Sequence, residues 1–394
     1  MLTPEELRER VRAFLAEHGP RQMPEEDFLN ARFDAGLAWV HYPEGLGGLG
    51  LSRSLQHIVD AEFAAAGSPD NNSGRNAIGL GMAAPTILAY GTDEQQQRWL
   101  RELWTGREVW CQLFSEPGAG SDLAALATRA IRDDGGWLVT GQKVWTSQAH
   151  VARRALLVTR TDPDVEKHAG LTYFSVDMTA PGVEVRPLRQ MTGEAEFNEV
   201  FLTDVRIPDE DRIGPVGGGW KVATATLMSE RVSIGAARAA PREGGMIGPV
   251  VATWRAHREL RTPGLHDRLL RLWTEAEVAR LAAERMRQQL AAGQPGPEGS
   301  AAKLVYARLN QDISGFDVEL NGAAGLRYDD WTMRRPEHAT FFGRGPGYRY
   351  LRAKGNSIEG GTSEILRNII AERVLGLPPE PRFDKDRPWK DLPR

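Results

Sequence analysis

The run Val109-Trp110-Cys111-Gln112-Leu113-Phe114, followed at once by Ser115-Glu116-Pro117-Gly118-Ala119-Gly120-Ser121-Asp122, is where the chain changes character. Its apolar and aromatic side chains read as a strand, and the Pro-Gly-Ala-Gly sequence that follows cannot continue one. Similar short runs recur down to about Pro215: Trp137 to Thr140, Ala155 to Thr159, Leu171 to Val176 and Glu199 to Ile207. Gly, Pro and Asp residues separate them, and Asp133-Asp134-Gly135-Gly136 has the composition of a hairpin turn. The spacing predicts a compact β-barrel or sandwich. No helical pattern alternates with these runs, so a parallel doubly wound sheet is disfavoured.

Outward from this centre, both flanks read as helix. Upstream, Thr3 and Glu6 fit a capping box, Pro4 takes the first helical position, and Leu7, Val11, Phe14 and Leu15 recur at helical spacing. Thr92 and Gln95 form a second box ahead of Trp99, Leu100 and Leu103. Downstream, Gly217-Gly218-Gly219 marks a boundary. Helices are expected over Trp220 to Ala239, Asp267 to Leu290 and Ser300 to about Asn321. A fourth, capped by Thr362, carries Ile365, Leu366, Ile369, Ile370 and Val374 and stops at Gly376-Leu377-Pro378-Pro379. Four such helices predict an antiparallel bundle. The expected fold is therefore a multi-domain α+β chain. It has an N-terminal helical domain over 1–108, a β-barrel domain over 109–215, a C-terminal four-helix bundle over 216–378 and a Pro-rich charged tail over 379–394.

Composition narrows the function. The net charge of −4 comes without a long basic run, so nucleic acid is not an expected partner. A single cysteine, Cys111, excludes an intrachain disulfide framework and a cysteine-cluster metal site, and no metal is expected. No stretch approaches the roughly 18 apolar residues of a membrane span. Met1 to Glu9 is acidic and lacks an apolar signal core, so a cytoplasmic protein without membrane contact is expected.

Several motifs invite chemistry. Gly45-Leu46-Gly47-Gly48-Leu49-Gly50, with Asp70 downstream, matches a dinucleotide fingerprint. Pro43 and helical flanks replace the strand that such a site requires, so the stretch reads as a loop between helices. The Ser115–Asp122 turn lets the backbone approach an anionic ligand, or is simply a turn. Trp145 and Ser147 offer a stacking face and a donor, or a core strand. Glu230-Arg231 is a buried base or a solvated helix pair. Asn356 to Glu364 is a ligand-binding turn or a glycine turn with an ordinary cap.

Taken together these blocks resemble the acyl-CoA dehydrogenase flavoprotein family. Glu116-Pro-Gly-Ala-Gly-Ser-Asp122 followed by Gly141-Gln-Lys-Val-Trp145 is close to that family's signature. Pro85-Thr-Ile-Leu, Gly91-Thr-Asp-Glu-Gln95 and Gly361-Thr-Ser-Glu-Ile365 agree in order and spacing, so the resemblance runs from about Pro4 to Pro378. It implies α,β-dehydrogenation of an acyl-CoA thioester, with FAD taking a hydride and an electron-transfer flavoprotein or similar acceptor reoxidising it.

By the same resemblance, Gln112, Phe114, Ser115, Gly120 and Ser121 line the flavin, Ser121 near flavin or CoA phosphates. Trp145 and Ser147 pack and hydrogen-bond at its ring, and Thr362 and Glu364 hold the far end of FAD. Arg231 contacts the pantetheine arm. Many members place the catalytic base just before the Gly-Thr pair, where this chain has Gly360; Glu359 is one residue too early. Others place it on the first bundle helix before an Arg, and Glu230 holds that position. The resemblance thus implies Glu230 as base and a Gly360 N–H to the thioester oxygen.

Two departures stand out. The Arg-x-x-Phe-Gly block expected after that helix is missing from Thr253 to Leu260, and Gln-x-x-Gly-Gly is replaced by Glu319-Leu320-Asn321-Gly322-Ala323. These point to a heteromer in which a paralogous subunit supplies the Arg, or to a homo-oligomer that holds FAD differently. An acyl-CoA oxidase on the same scaffold and a catalytically silent subunit are the competing readings.

Overall fold

The computed structural model describes residues 2–71, 73–235, 241–291, 298–328, 330–337 and 343–393, without the side chains of 230–235, 290–291 and 298. These residues form two compact units. The first comprises Met1–Arg186, Asn198–Ser229 and Asp386–Arg394, the second Pro187–Phe197 and Glu230–Lys385.

The first unit opens with helices α1 (Pro4–Glu17), α2 (Glu25–Asp34), α3 (Gln56–Ala65), α4 (Ala84–Tyr90) and α5 (Asp93–Trp104). Both expected capping boxes are present, at Thr3 with Glu6 and at Thr92 with Gln95. Leu7, Val11 and Phe14 bury against Phe28, Val59 and Phe63, as their helical spacing requires. The glycine-rich loop packs between helices: Ala38 and Trp39 donate to the Gly47 carbonyl, and a Cβ on Gly48 would lie 2.0 Å from the Tyr42 carbonyl oxygen. Gly48 serves close backbone approach, Gly45, Gly47 and Gly50 take positive φ, and no strand leads into the loop.

Seven strands follow: β1 (Trp110–Leu113), β2 (Arg129–Asp133), β3 (Gly136–Ser147), β4 (Arg154–Arg160), β5 (Leu171–Asp177), β6 (Val183–Pro187) and β7 (Phe197–Pro208). They form one curled sheet in the order β1-β4-β2-β3-β7-β6, with β5 also pairing β4. Every residue of β4 is buried. Because side chains alternate across a strand, Ala155 and Leu157 join the core on one face with Phe174 and Val205. Leu156 and Val158 join the core on the other with Trp99 and Tyr173. β1 and β4 run parallel, Trp110 opposite Arg154. The chain that joins them contains β2 and β3, so this parallel pair has no helical crossover.

Helix α6 (Gly219–Gly235) leaves the sheet region. Its Val222 and Ala223 share the first unit's core with Leu156, and Thr226 bonds the hydroxyls of Tyr173 (3.0 Å) and Thr86 (2.9 Å). The sequence expectation ran this helix on to Ala239, but residues 236–240 lie outside the described residues.

The second unit holds α7 (Ile247–Ala256), α8 (Pro263–Ala291), α9 (Glu298–Leu320), α10 (Gly322–Gly325), α11 (Pro346–Ala353) and α12 (Ser363–Ile369). Val250 and Trp254 of α7, Leu269 of α8, and Leu309, Ile313 and Phe316 of α9 form its apolar centre. Helix α12 is shorter than its apolar pattern implies, because at Ile370–Val374 the chain loosens into a π-turn. The tail returns to the first unit, where the Trp389 and Lys390 amides donate to the carbonyls of Val165 and Pro163. Among the described residues, no helix is long and apolar enough to cross a membrane.

Candidate functional site

The turn after β1 is built on a buried ion pair. Lys143 is fully enclosed, and its Nζ donates to Glu116 Oε1 at 2.8 Å and to the Phe114 carbonyl at 3.0 Å. The Glu116 carboxylate also accepts from the backbone amides of Ala127 (2.7 Å) and Thr128 (2.9 Å). Burial pushes the Glu116 carboxyl up, but the Lys143 charge and these donors outweigh it and hold it below the usual range. Burial likewise pulls the Lys143 ammonium down, against the attraction of Glu116. One further bond, Val144 N to the Ser115 carbonyl (2.9 Å), ties the two signature segments side by side. Glu116 and Lys143 both lie within the signature motifs, yet the motifs alone imply a role for neither. The available signal was a lysine set among apolar residues and a glutamate opening a glycine turn.

What the clamp presents is Trp145. This residue has φ +60°, a left-handed conformation that is a genuine outlier for a bulky side chain within a strand, and it is 59 % exposed. Its neighbours Val144 and Thr146 are buried. The left-handed step therefore turns an indole outward from an otherwise enclosed strand. Nearby polar groups lack partners: Gln112 Oε1 and Thr146 Oγ1 are buried without a hydrogen bond. Ser115 and Ser147 are half-buried, and Ser121 is exposed. Gly118 and Gly120 have open space where a side chain would stand. Phe114 differs from the rest, since its side chain is core, meeting Tyr173 edge-on at 5.9 Å.

The structure thus brings Gln112, Ser115, Trp145 and Ser147 to one end of the sheet, with Gly120 and Ser121 on the adjoining turn. An outward aromatic face beside unpaired acceptors and open glycines suits a flat, hydrogen-bonding ring with an anionic extension. Among the described residues, no group of three or more His, Cys, Asp or Glu could hold a metal ion.

In the second unit, Gly360 (φ +62°) and Gly361 (φ +94°) make a turn that only glycine adopts without strain. Lys303 Nζ fastens it, donating to the carbonyls of Asn356 (2.7 Å) and Gly361 (2.8 Å). Thr362 Oγ1 accepts from the Ile365 amide at 3.2 Å and caps α12, while exposed Glu364 pairs with Arg367. Glu359 is already engaged: Asn356 Nδ2 donates to it at 2.5 Å and Arg352 Nη1 at 3.0 Å. Arg352 also bonds Glu196 at 3.1 Å. Burial raises the Glu196 carboxyl, and Arg352 offsets only part of that rise.

Gly360, Thr362 and Glu364 therefore share one short segment. Glu230 and Arg231 lie on α6, but their side chains fall outside the described residues. The stretch Thr253 to Leu260, which lacks the arginine motif, is the end of α7 and a following 3₁₀ turn. In the altered glycine block, Glu319 pairs with Arg268 at 2.6 Å.

Family models match nearly the whole chain. Residues 3–107 match the acyl-CoA dehydrogenase N-terminal domain, 111–205 the middle domain and 217–375 the C-terminal domain. Acyl-CoA dehydrogenase FadE34 of Mycobacterium tuberculosis is 41% identical over 375 residues, covering 94% of this chain. The match spans only 49% of that relative, about half its length. Acyl-CoA dehydrogenase IpdE1 of the same organism is 38% identical, over 88% of this chain and 86% of its own. Among solved structures, the Tcur3481-Tcur3483 steroid ACAD superposes with a TM-score of 0.72 at 27% identity, covering 96% of this chain and 98% of that one. The ChsE4-ChsE5 complex from Mycobacterium tuberculosis gives 0.68 at 29% identity, covering 96% and 99%.

Proposed function

The chain belongs to the acyl-CoA dehydrogenase family of FAD enzymes, and from that premise we propose that it removes the α- and β-hydrogens of an acyl-CoA thioester to give the trans-2-enoyl product. When bound, FAD would supply the hydride acceptor for the β-hydrogen. Trp145 stacks against the flavin ring, and Gln112, Ser115 and Ser147 satisfy its polar edge, with Phe114 supporting them from the core. Gly120 and Ser121 receive phosphate, and Thr362 and Glu364 hold the far end of FAD.

Glu230 takes the α-proton. That proton is only weakly acidic, so charge must be stabilised on the thioester oxygen as it leaves; the Gly360 N–H supplies that hydrogen bond. Arg231 holds the pantetheine arm. Glu359 is the neighbouring alternative for the base, but its carboxylate is committed to Asn356 and Arg352, which favours Glu230. The observation that carries the reading is the outward, left-handed Trp145 beside a loop pinned by Lys143 and Glu116.

We further propose a steroid-derived acyl group and a paralogous second subunit. The solved relatives support both, one being named a steroid ACAD and another a two-protein complex. The missing Arg-x-x-Phe-Gly block supports the second subunit independently, because the partner would supply that arginine. Electrons leave to an electron-transferring flavoprotein or similar carrier.

The test is the visible spectrum of the chain purified alone and after co-expression with a paralogue that carries the arginine motif. Flavin retained only in the co-expressed pair, and bleached anaerobically by a steroid side-chain acyl-CoA, is the expected result. Full flavin in the single chain would remove the need for the partner. Rapid oxygen use without an acceptor would make the enzyme an oxidase. Glu230→Gln should bind the thioester yet bleach at least a hundredfold more slowly, about the scale of a lost general base. Wild-type bleaching by that variant would sink the assignment.

A further inference from the structure

The C-terminal segment 386–393 lies beyond residue 375, where the family match ends, yet it packs closely against the first unit. Trp389 is 8 % exposed. Its amide donates to the Val165 carbonyl at 2.8 Å, Pro388 bridges Glu166, and Lys390 pairs with Asp164 at 2.7 Å. The indole Nε1–H donates to the Ala125 carbonyl at 3.1 Å, and the ring covers the Arg160 guanidinium at 4.6 Å.

Arg160 in turn organises the turn that Trp389 touches. It donates to the carbonyls of Ala124 (2.6 Å), Leu126 (3.3 Å) and Lys167 (2.7 Å). Lys167 Nζ pairs with Asp122 at 2.6 Å. Arg160 thus holds two carbonyls of the 123–126 turn, whose Leu123, Ala124 and Leu126 also pack in the core, and Gly120-Ser121-Asp122 enters that turn directly. Arg160 bonds carbonyl oxygens and has an aromatic face over it, an arrangement that weakens once water reaches the cation.

We propose that Trp389 is a positioning residue, closing over Arg160 so that the 123–126 turn, and with it the Gly120-Ser121-Asp122 segment, is fixed for the phosphates of FAD. The inference rests on the reading that this segment receives FAD. It adds a contribution from a stretch outside the family pattern.

The experiment compares the full-length protein with Trp389→Ala and Trp389→Phe, in whatever assembly holds flavin. Two quantities are read: hydrogen exchange of the peptide containing the Ala125 and Leu126 amides, and FAD affinity by titration of the apoprotein. Trp389→Ala should speed that exchange and weaken FAD, each by about tenfold, the scale of one lost cation–aromatic contact and hydrogen bond. Trp389→Phe keeps a ring over Arg160 and loses only the donor, so it should fall between wild type and Trp389→Ala. If the alanine variant does not fold, the phenylalanine variant carries the same comparison. Exchange unchanged from wild type overturns the role of Trp389. Faster exchange with unaltered FAD affinity overturns instead the reading that this loop holds FAD, and the positioning role with it.

Discussion

Lys143 and Glu116 form an enclosed ion pair at 2.8 Å, and the same ammonium takes the carbonyl oxygen of Phe114. Removing one member leaves the other buried and charged, which typically costs about 3–5 kcal/mol. Lys143→Met should therefore lower the melting temperature sharply and release flavin. Lys143→Met combined with Glu116→Gln should recover part of that stability, because no lone charge remains. Thermal melts and flavin content of the two variants check this; equal losses in both would show that the pair contributes packing alone.

Trp145 separates backbone strain from ligand contact. Its left-handed φ costs a bulky residue on the order of 1–3 kcal/mol, and glycine would be relieved of it. Trp145→Gly should make the apoprotein about 1 kcal/mol more stable than Trp145→Ala, while both bind FAD far more weakly than wild type. Denaturant unfolding of the two apoproteins, set beside FAD titration, decides. Equal stabilities would remove the argument that the strain is maintained for function.

Asp209 predicts an acid limb of stability. The Arg212 guanidinium holds its carboxyl down at about 2, aided by the Trp137 indole N–H at 2.7 Å. A folded value below the unfolded one, near 3.8, stabilises the fold above that unfolded value. The contribution is then lost as pH falls through about 4 towards 2. The group is partly exposed, so solvent screening keeps the effect modest. Unfolding midpoints between pH 5 and pH 2 should fall less steeply in Asp209→Asn than in wild type. Parallel curves would show that other carboxylates set the limb.

These sites were unevenly legible. Local rules act within a few residues, so the capping boxes at Thr3 and Thr92 and the strand runs around Leu113 and Leu157 could be read directly. Helix α7 was missed although Ile247, Val250, Val251 and Trp254 recur at helical spacing, because Gly248 and Pro249 in its first turn read as a break. The apolar face through Val374 suggested a longer last helix than the one that forms, since the pattern does not encode the π-turn. Among the site residues, Trp145 and Ser115 were visible as motif letters. The ion pair between Glu116 and Lys143 was not, because it joins a turn to a strand that only the sheet brings together. The docking of Trp389 was equally hidden, for a charged and proline-rich tail has no periodicity to betray a partner.

The parallel pairing of β1 with β4 sets an order of events during synthesis. Trp110 finds its strand partner at Arg154, and the Phe114 carbonyl is held by Lys143. A ribosome that has just released β1 has therefore produced a strand without a neighbour and a turn without its clamp. The strand must wait for about forty further residues to emerge, and the turn for about thirty. Until then the apolar run Val109 to Phe114 is open to chaperones and to other nascent chains. Growth conditions that slow translation through residues 115–154 should prolong that exposure, and soluble yield should track it.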